Sequence, residues 1–262
     1  MGAGGAGFHA QWDSEFVNPV RQAVIARDDT SRDVGAVRKA IEYRYDLDVF
    51  RRVIFTESHD EVANGRARVP EEIWPGKVDS WFSKKRSTLG GALVLTSPGI
   101  PMIFEGQELL ENRWFQDNVP IDWSRVENEH GILRMYRDLI ALRRNLPGVT
   151  RGLCGQNINI YHCDAEAKDH IAFHRWDKQG PTDSVVVMVN MTNQNRDGYV
   201  IGFPRAGSWK TRFNSDSYNY SPNFANHPTP DVAAHEEEID GLPCSGTISI
   251  GPYTVVMFSQ DE

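Results

Sequence analysis

The rhythm of apolar and polar positions changes near residue 148. Before it, short β-branched or aromatic runs alternate with stretches whose apolar residues recur every three or four positions. Phe8 to Trp12 reads as a short strand, Ser14 to Ala26 and Val34 to Tyr43 as helices, and Val53 to Thr56 as a strand buried on both faces. Ser80 to Leu95 reads as a helix stopped by Ser97-Pro98-Gly99, and Ile100 to Phe104 is again strand-like. Ile132, Leu133, Tyr136, Leu139 and Ile140 then mark one face of a helix that Pro147-Gly148 ends. Strands alternating with helices predict βα units, with a parallel sheet and helices outside it.

Beyond Gly148 the period falls to two, or to short continuous apolar runs. Asn157 to Cys163, His170 to Trp176, Ser184 to Asn190, Gly198 to Phe203, Trp209 to Asn214, Thr247 to Ile250 and Thr254 to Ser259 read as strands separated by Gly, Pro, Asn and Asp. This half is expected to be an antiparallel β-sandwich. The stretch Ser215 to Cys244, rich in Asn, Pro, Tyr and His, receives no regular structure. Two domains follow from the change of period, residues 1–148 and 149–262.

Composition narrows the function classes. The chain has 262 residues, 40% of them hydrophobic, with a net charge of −8. That balance suits an ordinary globular protein and opposes nucleic acid or an anionic membrane as partner, since both need a basic face. A neutral or cationic substrate is easier to accommodate. No apolar run approaches the roughly 20 residues that span a bilayer, and the opening MGAGGAG lacks the regions of a signal peptide, so a cytoplasmic protein is expected.

Several features carry less. Cys154, Cys163 and Cys244 lack the close pairings of zinc or redox sites and read as packed thiols. The glycine-rich opening has no strand before it and no β–turn–α cradle after it, which rejects a nucleotide site. Lys84, Lys85 and Arg86 read as a solvated helix face, and His162, His170 and His174 as sheet surface without metal-ligand spacing. Asp13 and Glu15 read as solvated helix-start charges. No metal or cofactor is assigned.

The chemistry concentrates in Val53 to Asn64, VIFTESHDEVAN, where an apolar strand ends abruptly in Ser58, His59, Asp60 and Glu61. Parallel α/β enzymes present catalytic groups at the carboxyl ends of their strands. Taken alone, His59 and Asp60 read more readily as a loop pair capping the next segment. A complete eight-stranded barrel needs about 250 residues, so three βα units cannot form one. Three strands would leave a face or edges open to water, which predicts poor solubility or assembly with a partner.

Thr56-Glu57-Ser58-His59-Asp60-Glu61-Val62 followed by Asn64-Gly65 resembles the strand-seven motif of the α-amylase superfamily, glycoside hydrolase family 13. Ser58, with Glu61-Val62 behind it, is closer to the α-1,4-glucan branching enzymes than to most amylases. Gly7-Phe8-His9-Ala10-Gln11-Trp12-Asp13 resembles the strand-six region, and Thr96 to Glu108 (TSPGIPMIFEGQE) the final barrel strand and its loop. Pro120-Ile121-Asp122-Trp123 fits the segment after it.

The resemblance implies an α/β plus all-β fold: strands six to eight of a (β/α)8 barrel, then an antiparallel sandwich. It implies the C-terminal portion of a retaining α-glucan-active enzyme, of which 1,4-α-glucan branching by transfer to a 6-hydroxyl is the first reading. Amylase-type hydrolysis and a non-catalytic glucan-binding or assembly fragment are the alternatives, and a separate chain supplying the earlier strands is a further one. The partner would be starch, glycogen or a maltooligosaccharide. In such enzymes one carboxylate attacks the anomeric carbon and another protonates the leaving oxygen, about 5–5.5 Å away.

By motif match Asp60 is the third carboxylate, which supports the cation-like transition state, and His59 hydrogen-bonds the sugar. Nucleophile and acid belong to strands four and five, which this alignment places outside the chain, so the isolated chain is expected to be inactive. Glu57, two residues before His59, is a weak substitute acid. Trp12 and Trp114, beside strand ends, are candidate sugar platforms; for Trp74, Trp81, Phe115 and Trp123 core packing is the default. Asn64 and Arg66 are candidates for glucose hydroxyls or for simple loop solvation. Glu105, Gln107 and Glu108 either support the site floor from behind or serve as helix-start charges.

Overall fold

The computed structural model describes residues 6–163, 170–178 and 183–261; residues 1–5 of the glycine-rich opening and the side chain of Cys163 lie outside the described parts. Strands β1 (Gln11–Trp12), β2 (Arg52–Ile54) and β3 (Ile100–Pro101) form a parallel sheet in that order. Helices α1 (Ser14–Ile25) and α2 (Val34–Glu42) connect β1 to β2. Helices α3 (His59–Val62), α4 (Val69–Ile73) and α5 (Trp81–Thr96) connect β2 to β3, and α6 (Arg125–Arg143) follows.

Local chemistry sets these boundaries. Asp13 caps α1 by accepting from Glu15 N, Asp33 caps α2 by accepting from Ala36 N, and Ser80 caps α5 by accepting from Ser83 N. Strands β1 and β3 are shorter than the apolar runs suggest. Each pairs on one side only among the described residues, so the ladder stops early; Phe8 is left exposed, and only Met102 N, donating to Ile54 O, extends the pairing of β3.

The second half is antiparallel throughout. Strands β4 (Asn157–Cys163), β5 (His170–Trp176), β6 (Val185–Asn190), β8 (Gly207–Asn214), β9 (Val232–Ala234) and β11 (Thr254–Ser259) make a six-stranded sheet ordered β4-β5-β6-β11-β8-β9. Strands β7 (Arg196–Phe203) and β10 (Cys244–Ile250) pair over it. Strand β9 lies inside the stretch expected to be irregular: three residues are too few for a period, but they complete an edge against Gly207 to Trp209.

The middle of the six-stranded sheet is buried on both faces, which explains why β6 and β11 are continuous apolar runs rather than alternating ones. Val185, Val187, Val189, Val255 and Met257 join a core shared with α1, α2, α5 and α6. Their neighbours Val186, Met188, Val256 and Phe258 face a smaller core with Ile201, Phe203, Trp209 and Ile248. The helical layer and the sandwich therefore share apolar contacts across residue 148. Among the described residues no helix is long and apolar enough to cross a membrane.

Several expectations about surface residues are overturned. Lys84, Lys85 and Arg86 are buried, because α5 is enclosed along all but its first two residues. Lys84 Nζ pairs with both Glu129 oxygens at 2.8 and 2.9 Å; Lys85 Nζ lies 2.7 Å from Asp216 Oδ1 and 2.9 Å from Thr254 Oγ1. Arg86 donates to the Ala26 carbonyl at the end of α1. Successive residues on a helix turn by about 100°, so three adjacent cations reach three different elements. Burial lowers Lys85 to about 8 against the attraction of Asp216.

Asp13 keeps its capping role but is buried rather than solvated, 2.8 Å from Arg52 Nε; burial raises its pKa despite that partner. The histidines are not sheet surface. His170 is buried, and His162 has Nδ1 3.1 Å from Asp240 Oδ1 and Nε2 2.7 Å from the Tyr199 hydroxyl. His174 stacks on Trp176, ring centroids 4.7 Å apart, and burial lowers it to about 4, with Arg205 adding repulsion. Of the thiols, Cys244 is buried and Cys154 exposed, against the expectation of packing.

Two outcomes follow from these burials. Lys85→Met leaves the Asp216 carboxylate unpaired inside the protein and should lower stability in urea by about 3–5 kcal/mol. Because the folded pKa of His174 lies below its ordinary 6.5, protonation favours the unfolded chain. Its contribution is present above pH 6.5 and is lost as the pH falls towards 4; His174→Gln should flatten melting temperature against pH in that window.

Candidate active site

Beyond β2 the chain runs on through Phe55, Thr56, Glu57 and Ser58, all buried, and then turns outward. Ser58 caps α3: its Oγ accepts from Asp60 N at 3.2 Å and donates to Glu61 Oε2. The spacing Ser-x-x-Glu is that of a capping box, although here the two side chains bond each other. Capping thus falls to Ser58, and His59 and Asp60 occupy the first turn with side chains 53% and 67% exposed, His59 Nε2 standing 3.3 Å from Asp60 Oδ1. Trp12, at the end of β1, meets His59 edge-on with ring centroids 5.2 Å apart and Phe55 at 5.5 Å.

The carboxylates flanking Asp60 are committed elsewhere. Glu57 Oε2 pairs with Arg68 Nη1 at 3.0 Å and Oε1 accepts from Val69 N at 2.6 Å, both inside the protein. This rules against Glu57 as a substitute acid pointing with His59: it is a buried anchor for the start of α4. Glu61 is held by Ser58. Asp60 is therefore an exposed carboxylate beside an imidazole that in turn meets an indole, able to accept hydrogen bonds from hydroxyls but lacking a free carboxylate neighbour in its own segment.

The remaining candidates fall into two groups. Gln107 joins strand ends, since its Nε2 donates to Thr56 Oγ1 at 2.8 Å and its Oε1 accepts from Phe104 N at 3.3 Å. Phe115 N donates to Val62 O at 2.7 Å, which seats the loop carrying Trp114, 40% exposed, against α3. Glu105 is exposed and borders a shallow depression with Arg68 and Trp114; Glu108 is partly buried in the short turn Gln107–Leu109. Asn64 takes φ 58° ahead of Gly65 at φ 81°, so this position selects a residue tolerant of left-handed backbone. Arg66 Nη1 donates to the Asp60 carbonyl at 2.9 Å and so steadies the turn.

Sequence reasoning missed two residues. Arg68 binds Glu57, donates to Arg113 O at 3.2 Å and lies 4.8 Å over the Phe104 ring, joining the β2 and β3 loops. Nothing in the local pattern marks it. Burial opposes ionisation of Glu111, yet hydrogen bonds from Arg113 and from Asp122 N hold its carboxyl down at about 2. Glu111 thereby ties the Pro120-Ile121-Asp122-Trp123 segment to this loop. Among the described residues no three His, Cys, Asp or Glu side chains gather as metal ligands.

The chain thus joins a short parallel sheet, whose second strand leads into His59 and Asp60, to an antiparallel domain, and known proteins share this arrangement. Residues 160–261 match the family model described as alpha amylase, C-terminal all-beta domain. Nearly the whole chain is similar to 1,4-alpha-glucan branching enzyme GlgB of Rhodospirillum rubrum, at 27% identity over 98% of this chain and 34% of that protein. The enzyme of the same name from Pseudomonas syringae pv. tomato is 27% identical over 97% and 34%. The chain spans about a third of the length of these curated relatives.

The fold is similar to that of a pullulanase complexed with maltotetraose from Anoxybacillus sp. LM18-11, with a TM-score of 0.64 at 18% identity, covering 96% of this chain and 35% of that one. It is also similar to an α-amylase from H.orenii, TM-score 0.59 at 17% identity, covering 97% and 49%. This chain is thus similar to the C-terminal portion of α-amylase-superfamily proteins, branching enzymes among them.

The Glu57–Arg68 pair should be structural and Arg66 peripheral. Arg68→Met is expected to cost about 3–5 kcal/mol in urea denaturation through the unpaired Glu57. Arg66→Met should stay within about 0.5 kcal/mol.

Proposed function

We propose that residues 1–148 contribute strands six to eight of a (β/α)8 barrel and residues 149–262 its C-terminal sandwich, in an enzyme that branches 1,4-α-glucans. The observation that carries this reading is the meeting of Trp12 with His59, itself 3.3 Å from Asp60, beyond neighbouring carboxyl ends of parallel strands, with both polar side chains exposed. Asp60 accepts hydrogen bonds from sugar hydroxyls, and its charge opposes the positive charge that develops at the anomeric carbon. His59 donates to a neighbouring hydroxyl. Trp12 offers an apolar face to a glucose ring, with Trp114 as a second platform. Asn64 and Arg66 shape the turn that carries Asp60 and border the sugar.

The nucleophile and the general acid come from strands outside these 262 residues. Glu57 and Glu61 are engaged with Arg68 and Ser58, which supports this division of labour. The glucosyl unit then passes to a sugar 6-hydroxyl; exclusion of water at the closed site separates this outcome from hydrolysis. The similarity to branching enzymes over nearly the whole chain supports transfer over hydrolysis.

Alone, the chain should show no turnover on amylose, followed by reducing ends and iodine staining. A measurable rate abolished by Asp60→Asn would prove the division wrong. Combined with a segment of a branching enzyme that carries the earlier strands, the chain should lower the iodine stain of amylose and create debranchable side chains. Asp60→Asn should reduce that rate by about 10²–10³-fold. Release of reducing ends without new branches would instead identify a hydrolase.

A further inference from the structure

A cleft of about 800 Å³ opens away from the strand ends and is not lined by His59, Asp60 or any other residue of the candidate site. It lies where the α1–α2 turn, the segment between α4 and α5, and two sandwich residues, Asn193 and Tyr253, come together. The wall from the α4–α5 segment presents Trp74, 40% exposed. This indole is held in place, with Phe82 5.7 Å away at 42° and Lys77 Nζ 5.6 Å from its ring centroid, yet it does not enter the core.

The polar lining is mixed rather than single-signed. Arg27 and Arg86 are cationic, and Asp28, Asp29 and Glu72 are anionic. Asp29 is spent internally, accepting from Tyr253 Oη at 2.7 Å and Asn193 N at 2.8 Å, which fixes the sandwich side of the cleft. Glu72 pairs with Arg21 at 3.0 Å. Arg27 and Asp28 are exposed on the α1–α2 turn and make no side-chain hydrogen bond or ion pair among the described residues. Arg86, only 3% exposed, lines the cleft with Nε lacking a hydrogen-bond partner among those residues, so a buried donor is left over there.

A strongly charged ligand would meet repulsion from one half of this lining. A neutral molecule whose hydroxyls both donate and accept satisfies carboxylates and guanidinium groups together, and its apolar ring face covers an indole. We propose that this cleft is a second saccharide site, separate from Asp60, which holds a stretch of α-glucan against Trp74. The choice of α-glucan among saccharides rests on the function proposed above; the existence of the site does not.

Isothermal titration of the full chain with maltoheptaose tests this in a Trp12→Ala background, so that binding beside His59 is removed. Binding should remain in that background, weaken at least about tenfold on adding Trp74→Ala, and stay within about threefold with Trp74→Phe. Asp28→Asn, which keeps the shape of the turn, should weaken it by about threefold to tenfold. Unchanged melting temperatures would exclude loss of folding as the cause. Absence of binding, or binding indifferent to Trp74, would overturn the site while leaving the rate-based test of Asp60 untouched. Equal Trp74-dependent binding of cellohexaose would keep the saccharide site and overturn the α-glucan assignment. Saturable binding of inorganic phosphate in place of maltoheptaose would overturn both.

Discussion

Helix α5 is enclosed from Ser83 onward, and the arrangement of the molecule depends on how three consecutive cations find partners there. A buried ammonium costs several kcal/mol unless it finds a carboxylate and further hydrogen bonds. Lys84 reaches Glu129 on α6, Lys85 reaches Asp216 in the loop after β8 and Thr254 at the start of β11, and Arg86 reaches the last turn of α1. One helix turn therefore fixes the relative positions of two neighbouring helices and the sandwich. Asp216 passes the constraint on, since it also accepts from Ala225 N at 3.3 Å and His227 N at 2.8 Å and so orders a loop without regular structure.

The far end of α5 is secured in the same way. Arg143 on α6 donates to the Ser97 and Gly99 carbonyls, and Arg175 on β5 donates to Thr96 O, Leu153 O and Gly155 O. Burial lowers both guanidinium pKa values, Arg143 to about 10, but the carbonyls at the helix end supply the acceptors that the lost water would have offered. With α5 clamped at both ends, β3 begins in a fixed place beside β2. The loops at the carboxyl ends of β2 and β3 can then be joined by Gln107 and by the Glu57–Arg68 pair.

This rigidity beneath the strand ends is what leaves His59 and Asp60 free. Ser58 takes the capping duty, Arg66 holds the Asp60 carbonyl, and Glu57 is withdrawn into the interior. A polar side chain spared from structural hydrogen bonds, on a backbone that is not, is what a binding site needs. The contrast with the cleft at Trp74 is one of support: the strand-end site is built by hydrogen bonds from one parallel sheet, whereas the cleft borrows a wall from the sandwich through Tyr253 and Asn193.

The long helices, the parallel order of the first three strands, the antiparallel character of the second half and the His59-Asp60 turn were all legible in the amino-acid sequence. These rest on interactions within a few residues: apolar period, Ser and Asp caps, and Gly and Pro stops. It misjudged charged and imidazole groups, reading Lys84 to Arg86 as solvated and His170 and His174 as surface. Whether a charge is buried depends on a partner that no local pattern locates; the Lys85–Asp216 contact spans 131 residues and the Lys84–Glu129 contact 45. Which carboxylates are spent emerges in the folded chain alone: Asp60 is exposed and Glu57, three residues earlier, is buried, because pairing in the interior is settled by packing and not by spacing.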